Sequence, residues 1–169
     1  MAFDYGKFVQ GGIGKQLATA LGLPRPTRLR RHDPKGSLVP GAVYVTGHGD
    51  AKVAHRVSAW LEAAGVPIAT SPSTSVAALV LDMTEIETPA DLETLRAAVA
   101  PTLKTIQPTG RVIVIGRPVE EATSIAQGAA RRAIEGIVRS IGKEMRAGGT
   151  ANTVLVADGA EDAVEAPLR

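Results

Sequence analysis

A β-branched run, Val112 to Ile115, closed by Gly116 and followed by a long amphipathic stretch, limits most sharply how this chain can fold. A strand of that composition has no polar side and must be covered on both faces, the condition met in a parallel sheet. Beyond it, Ile125, Ala129, Ala133, Ile137, Ile141 and Met145 recur at the i, i+4 interval, with Ile134 and Val138 beside them. That spacing predicts one wide apolar stripe on a helix over 119–146, and arginines and glutamates fill most of its other positions.

The rest of the chain repeats this alternation. A strand is expected at 42–46 (AVYVT), a helix over 51–64 stopped by Gly65, a short strand at 66–70 and a third strand at 77–83 (AALVLDM). Thr88-Pro89-Ala90-Asp91 places a cap and a first-turn proline at the start of a helix running to 106, with Pro101 inside it. Strands at 111–115 and 152–157 (NTVLVA) complete the series. Strands alternating with helices imply a five-stranded, doubly wound parallel sheet of flavodoxin-like or Rossmann-like type, order 2-1-3-4-5. Ser71 to Ser75 is too short for a crossover helix, so the link from the second to the third strand must run extended.

Aromatic residues are only 3% of the 169, so aliphatic side chains must fill the core. With no cysteine, disulfides, thiolate nucleophiles and Cys-ligated zinc are excluded. A formal charge of +2 argues against a dedicated nucleic-acid binder, and no apolar run reaches spanning length; a cytoplasmic protein is expected.

Three regions are anticipated: an arm and linker at 1–40, the Rossmann-like body at 41–157 and an acidic segment at 158–169 with no evident partner element. In the arm, Gly11-Gly12-Ile13-Gly14-Lys15 invites a phosphate-loop reading that its context refuses: Val9 stands where the first glycine belongs, Gln16 follows the lysine and no buried strand leads in. The glycines are instead expected to loosen an arm whose aromatics, Phe3, Tyr5 and Phe8, pack on a body or on a neighbouring chain. Residues 24–40 are proline-rich and carry Arg25, Arg28, Arg30, Arg31 and Lys35 against Asp33 alone. That is a solvated basic strip or, more sharply, a docking strip for an acidic partner.

The runs GRVIVIGR, ARRAIEGIVRSIGKEM and NTVLVA closely resemble the second half of a short-chain dehydrogenase/reductase, and most nearly the 3-oxoacyl-acyl-carrier-protein reductases. In that family a serine ends the strand, Tyr-x-x-x-Lys heads the helix and an asparagine opens the next strand. The resemblance sets Arg117 at the serine, Gln127 at the tyrosine, Arg131 at the lysine and Asn152 at the asparagine. The Thr-Gly-x-x-x-Gly-x-Gly cofactor turn is reduced to Thr46, Gly47 and Gly49, with Asp50 turning a carboxylate towards the phosphates, and one strand–helix unit is missing before AALVLDM. The arm, the LGLPRPTRLRR linker and this eroded fold together resemble the N-terminal domain of the actinobacterial high-molecular-weight 3-oxoacyl-acyl-carrier-protein reductases. That resemblance implies a piece of a longer enzyme whose reductase domain uses NAD(P)H.

Chemistry follows from what is missing. Gln127 has no ionisable proton, so the general-acid contribution of roughly 10²–10⁴-fold is lost. Arg131 has no tyrosine to activate, and Arg117 is bulky where a small hydroxyl is needed. No catalytic residues, no bound cofactor and no metal are therefore expected. His32, His48 and His55 lack ligand spacing, His48 reading as an exposed turn residue and Asp82 as a capping carboxylate. The expected role is packing against the parent's reductase domain or a second copy, through the stripe headed by Ile125, Ala129 and Ala133. The alternatives are a nucleotide- or flavin-sensing module without turnover, and recruitment of acyl carrier protein by the linker arginines.

Overall fold

The computed structural model describes residues 5–23, 27, 29 and 36–168, which divide into two compact units, Met1–Arg30 and Arg31–Arg169. Phe3, Arg25, Arg28, Arg30, Arg31, His32 and Lys35 lie outside the described residues, and with them the basic docking strip. No helix among the described residues is long and apolar enough to cross a membrane.

The first unit holds two short helices, α1 (Tyr5–Gln10) and α2 (Gly12–Ala20). Its glycines form a tight corner rather than a loose arm. A β-carbon at Gly14 would stand 2.0 Å from the Phe8 carbonyl oxygen, so only glycine lets the two helices approach this closely. Gly12 adopts φ +23°, and Lys15 N–H donates to Gly11 O at 2.9 Å. Backbone geometry, not phosphate chemistry, accounts for the GGIGK sequence.

The second unit is the doubly wound sheet. Its strands are β1 (Val43–Gly47), β2 (Ile68–Ala69), β3 (Ala78–Asp82), β4 (Arg111–Gly116) and β5 (Thr150–Leu155). Its helices are α3 (Lys52–Ala63), α4 (Leu92–Thr105), α5 (Ile125–Glu144) and α6 (Glu165–Leu168). All strand pairs are parallel and the order is β2-β1-β3-β4-β5, as the alternation of elements predicts. The register aligns Gly47 with Asp82, Asp82 with Ile115, and Gly116 with Leu155, so the strands end together at one edge. The helix-free link from β2 to β3 is pinned along its length. Pro72 O accepts from Thr105 Oγ1 at 3.2 Å, Val76 O from Gln107 N–H at 2.9 Å, and Ala77 N–H donates to Ala42 O at 2.8 Å. β2 shrinks to two residues because this link leaves the sheet early.

Each sheet face has its own core. On one, Leu79, Leu81, Val112 and Val114 meet Leu95, Ala98 and Val99 of α4 and Ala130, Ile134, Val138 and Ile141 of α5. On the other, Val43, Val80 and Ile115 meet Val53, Val57 and Leu61 of α3 together with Val164. Leu79 and Leu81 are fully enclosed, and truncating such a side chain to alanine costs about 2–5 kcal/mol.

Two expectations are corrected. The α5 stripe is rotated: the buried positions are Gln127, Ala130, Ile134, Val138 and Ile141, while Ile125 is 94% exposed and Ala129 faces solvent. The acidic end of the chain also has a partner. Residues Glu161–Val164 form a 3₁₀ turn leading into α6, and Val164 is buried in the α3-side core.

Candidate functional site

In open α/β sheets ligands bind beyond the carboxyl ends of the strands, where the order of connection reverses. Here that point lies between β1 and β3, and the β1–α3 turn, 47–51, is where a cofactor pyrophosphate would meet backbone amides and a helix N-terminus. Gly47 is obligatory. A β-carbon there would come within 2.6 Å of Ala51 Cβ and 2.8 Å of Asp82 O. Gly49 takes φ +66°, and a β-carbon on it would lie 2.5 Å from Glu85 Oε2. Gly47 and Gly49 thus shape a sharp turn after β1, and Thr46 is the strand residue that precedes it.

The chain's own carboxylates take up two donors there, Asp50 N–H in the turn and Ala54 N–H in α3. Asp82, fully buried at the end of β3, accepts from Ala54 N–H in the first turn of α3 at 3.0 Å. Its other oxygen accepts from Thr84 N–H at 2.9 Å and from Thr84 Oγ1 at 2.7 Å. Glu85 Oε2 accepts from Asp50 N–H at 2.9 Å, and His48 N–H donates to Asp82 O at 2.9 Å. Ala51, the residue preceding α3, has no capping side chain and a strained φ of 48°, and Asp82 satisfies one of the N–H groups that the helix start leaves free, that of Ala54.

This arrangement opposes a phosphate. The helix N-terminus offers an anion up to about 2 kcal/mol in favourable geometry. A phosphate about 4 Å from a single carboxylate meets a repulsion on the order of 4 kcal/mol at the effective dielectric of a protein surface. Two carboxylates reverse the sign of the site.

The three positions matched to catalytic groups have become structural fastenings. Gln127 is 4% exposed in the first turn of α5. Its backbone N–H donates to the capping Ser124 Oγ at 3.0 Å, and its Oε1 accepts from Thr123 N–H at 2.7 Å, a reciprocal cap. Its Nε2 donates to Glu87 Oε1 at 3.0 Å, tying the segment after β3 to the head of α5. Arg131, one turn on, donates from Nη1 to Pro118 O at 2.9 Å, while its buried Nε has no partner among the described residues.

Arg117 locks the ends of β4 and β5 together. Its Nη1 donates to Val156 O at 3.1 Å and to Ala157 O at 2.7 Å, and its Nη2 pairs with Glu161 and lies 3.4 Å from Asp158. The guanidinium, donating directly, holds the Glu161 carboxyl below its ordinary 4.5, aided by Glu161's own backbone N–H. Asn152, expected to open the last strand, is its third residue, and its side chain is exposed.

His48 is half-buried rather than an exposed turn residue. Its Nδ1 lies 3.0 Å from Thr94 Oγ1 and its Nε2 3.7 Å from Asp91, joining the β1–α3 turn to α4. The backbone N–H groups of Glu87 and then Thr88, with a smaller part from His48, hold the Asp91 carboxyl below its ordinary 3.8. Among the described residues no cluster of three or more His, Asp or Glu is placed to hold a metal ion. Two residues central to this crevice, Glu85 and Thr84, carry no motif. Thr84 bonds Asp82 two residues before it, while the partner of Glu85 lies in the distant β1–α3 turn, and only the acidity of 82–87 hints at them.

No family model matches the chain, and no curated protein matches it. Among solved structures it resembles BdcA (YjgI) from E. coli, with a TM-score of 0.54 and 16% identity over 79% of this chain and 90% of that one. A likeness at that identity is a likeness of fold, and it agrees with the Rossmann-like sheet. The expectation of an N-terminal domain of an actinobacterial 3-oxoacyl-acyl-carrier-protein reductase is thereby corrected, since the comparisons point to the general fold and not to that family. The physical reason lies in which residues carried the resemblance. Ile134, Val138 and Ile141 are the positions that any helix packed on β4 must make apolar, so they report the architecture.

Proposed function

We propose that this chain is a non-catalytic Rossmann-like module that works by protein association, with its nucleotide crevice closed from within. The observation that carries the reading is the pair of carboxylates at the β1–α3 turn: Asp82 on Ala54 N–H and Glu85 on Asp50 N–H. Two of the N–H donors beside a bound pyrophosphate, those of Asp50 and Ala54, already donate to internal carboxylate oxygens, and a phosphate entering there meets like charge. At the head of α5, Gln127 and Arg131 serve as fastenings. The same two carboxylates count against the alternative of a nucleotide- or flavin-sensing module.

Calorimetric titration of the chain with NADH, NADPH and FMN tests this directly. No saturable heat is expected at millimolar ligand. Glu85→Ala, which removes the exposed half of the closure and leaves Asp82 in place, should gain at most weak anion binding. Binding of any of the three ligands by the unaltered chain with a stoichiometry near one would overturn the reading.

A further inference from the structure

This inference rests on the reading of the chain as an association module and names the surface it uses. β5 is the last strand of the sheet, and among the described residues no strand lies beyond it. Thr150 N–H donates to Gly110 O at 3.0 Å and Val156 N–H to Gly116 O at 2.9 Å. Backbone groups alternate in direction along a strand, so residues 150, 152 and 154 face β4, while Ala151, Thr153 and Leu155 turn their N–H and C=O groups outward. A row of that kind is a template for a further extended strand.

The edge carries none of the usual protection. Thr150–Leu155 reads TANTVL, with no lysine, no proline and no charge of either sign. The opposite edge is protected by brevity, since β2 is only Ile68–Ala69. Leu155, 59% exposed, ends the open strand, and Ile125, 94% exposed, stands at the head of α5 at the same carboxyl end of the sheet.

We propose that the β5 edge pairs with the β5 edge of a second copy of this chain, antiparallel across a two-fold axis, joining the two sheets into one. The outward backbone groups fix the chemistry of the occupant as an extended strand. Neutrality then selects a second copy. A two-fold pairing sets a charge near its axis opposite its own copy, and TANTVL has none to oppose wherever the axis falls. The strand itself offers an acidic or basic peptide no charge of its own to pair with, Arg111 reaching it only at Thr150. Thr150, Thr153 and Val154 supply the β-branched side chains that favour cross-strand packing.

Sedimentation velocity of the whole chain across roughly two decades of concentration tests this, because a dimer reveals itself by mass action. A reversible dimer is expected. Thr153→Pro removes an outward N–H while leaving the bonds to β4 intact, a placement proline tolerates on an edge. Asn152→Lys alters an exposed side chain and brings like charges to the seam. Each variant should weaken dimerisation by roughly tenfold or more, with the far-ultraviolet circular dichroism of the parent retained. Should Thr153→Pro fail to fold, Asn152→Lys decides alone. A chain that stays monomeric throughout, or a dimer that a folded Asn152→Lys variant leaves equally tight, overturns the proposal. A monomer without nucleotide affinity removes only this surface, whereas nucleotide binding removes the underlying reading whatever the mass.

Discussion

The carboxyl end of the sheet and its β5 edge present the same raw material, backbone amides and carbonyls at the limit of a parallel sheet, and treat it oppositely. At the carboxyl end side chains have been recruited to satisfy them: Asp82 and Glu85 on the amides of the first turn, Gln127 on Thr123, Arg117 on the carbonyls of Val156 and Ala157. At the edge, Ala151, Thr153 and Leu155 turn theirs outward, and among the described residues no strand lies beyond them. In a dehydrogenase-type scaffold the crevice is the place normally left unsatisfied, for a ligand to complete. Here side chains of the chain itself complete the crevice, and the edge is what the proposed strand pairing would complete.

The comparison breaks most readily at Asp82. Asp82→Asn keeps the shape but turns an amide donor towards one of the donors that the carboxylate accepts, Ala54 N–H or the Thr84 pair. A loss of about 3 kcal/mol in a urea titration is expected for so buried a group; a loss under about 0.5 kcal/mol, the range of a neutral surface change, would mean that the closure is incidental. Gln127→Ala leaves Thr123 N–H and the Glu87 carboxylate unmatched and should cost about 2 kcal/mol. If Gln127→Ala were instead neutral, the reciprocal cap would be an idle contact.

The smallest effect is on acid stability. The folded-state carboxyls of Glu161 and Asp91 lie below their ordinary values, so each adds stability that is fully present above that value, 4.5 or 3.8, and lost as pH falls through the folded pKa. Glu161→Gln and Asp91→Asn should therefore flatten the loss of urea midpoint below about pH 4.5 and leave the slope between pH 6 and 8 unchanged. An acid limb identical to the parent's in both variants would remove these two groups from the account.

The strands and their order are legible in the sequence because β3 and β4 each carry an unbroken aliphatic run and strands alternate with helices along the chain. Thr88 and Asp91 do form a reciprocal cap ahead of α4, and Gly65, at φ +72°, does stop α3. The phase of α5 is not legible from the i, i+4 series. Steps of four overshoot a turn by about 40°, so Ile125 and Ile141 end on nearly opposite faces. The buried set, Gln127, Ala130, Ile134, Val138 and Ile141, mixes steps of three and four and follows one face.

Gln127 was legible in another frame. Ser124-Ile125-Ala126-Gln127 has the Ser-x-x-Gln form of a helix cap, and that pattern accounts for its bonds better than alignment with a tyrosine. Glu85 and Glu161 were not legible. Each meets its partner, Asp50 or Arg117, only after the strands are assembled, and no local periodicity records such a meeting.

The central claim, that the crevice is closed by the chain's own carboxylates, is tested most directly by following the backbone amide resonances of Asp50 and Ala54 while NADH is added. Both should hold their positions to millimolar ligand, because Glu85 and Asp82 already occupy those donors. Saturable shifts of these two amides, together with those of Gly49 and Ala51 in the same turn, would contradict it.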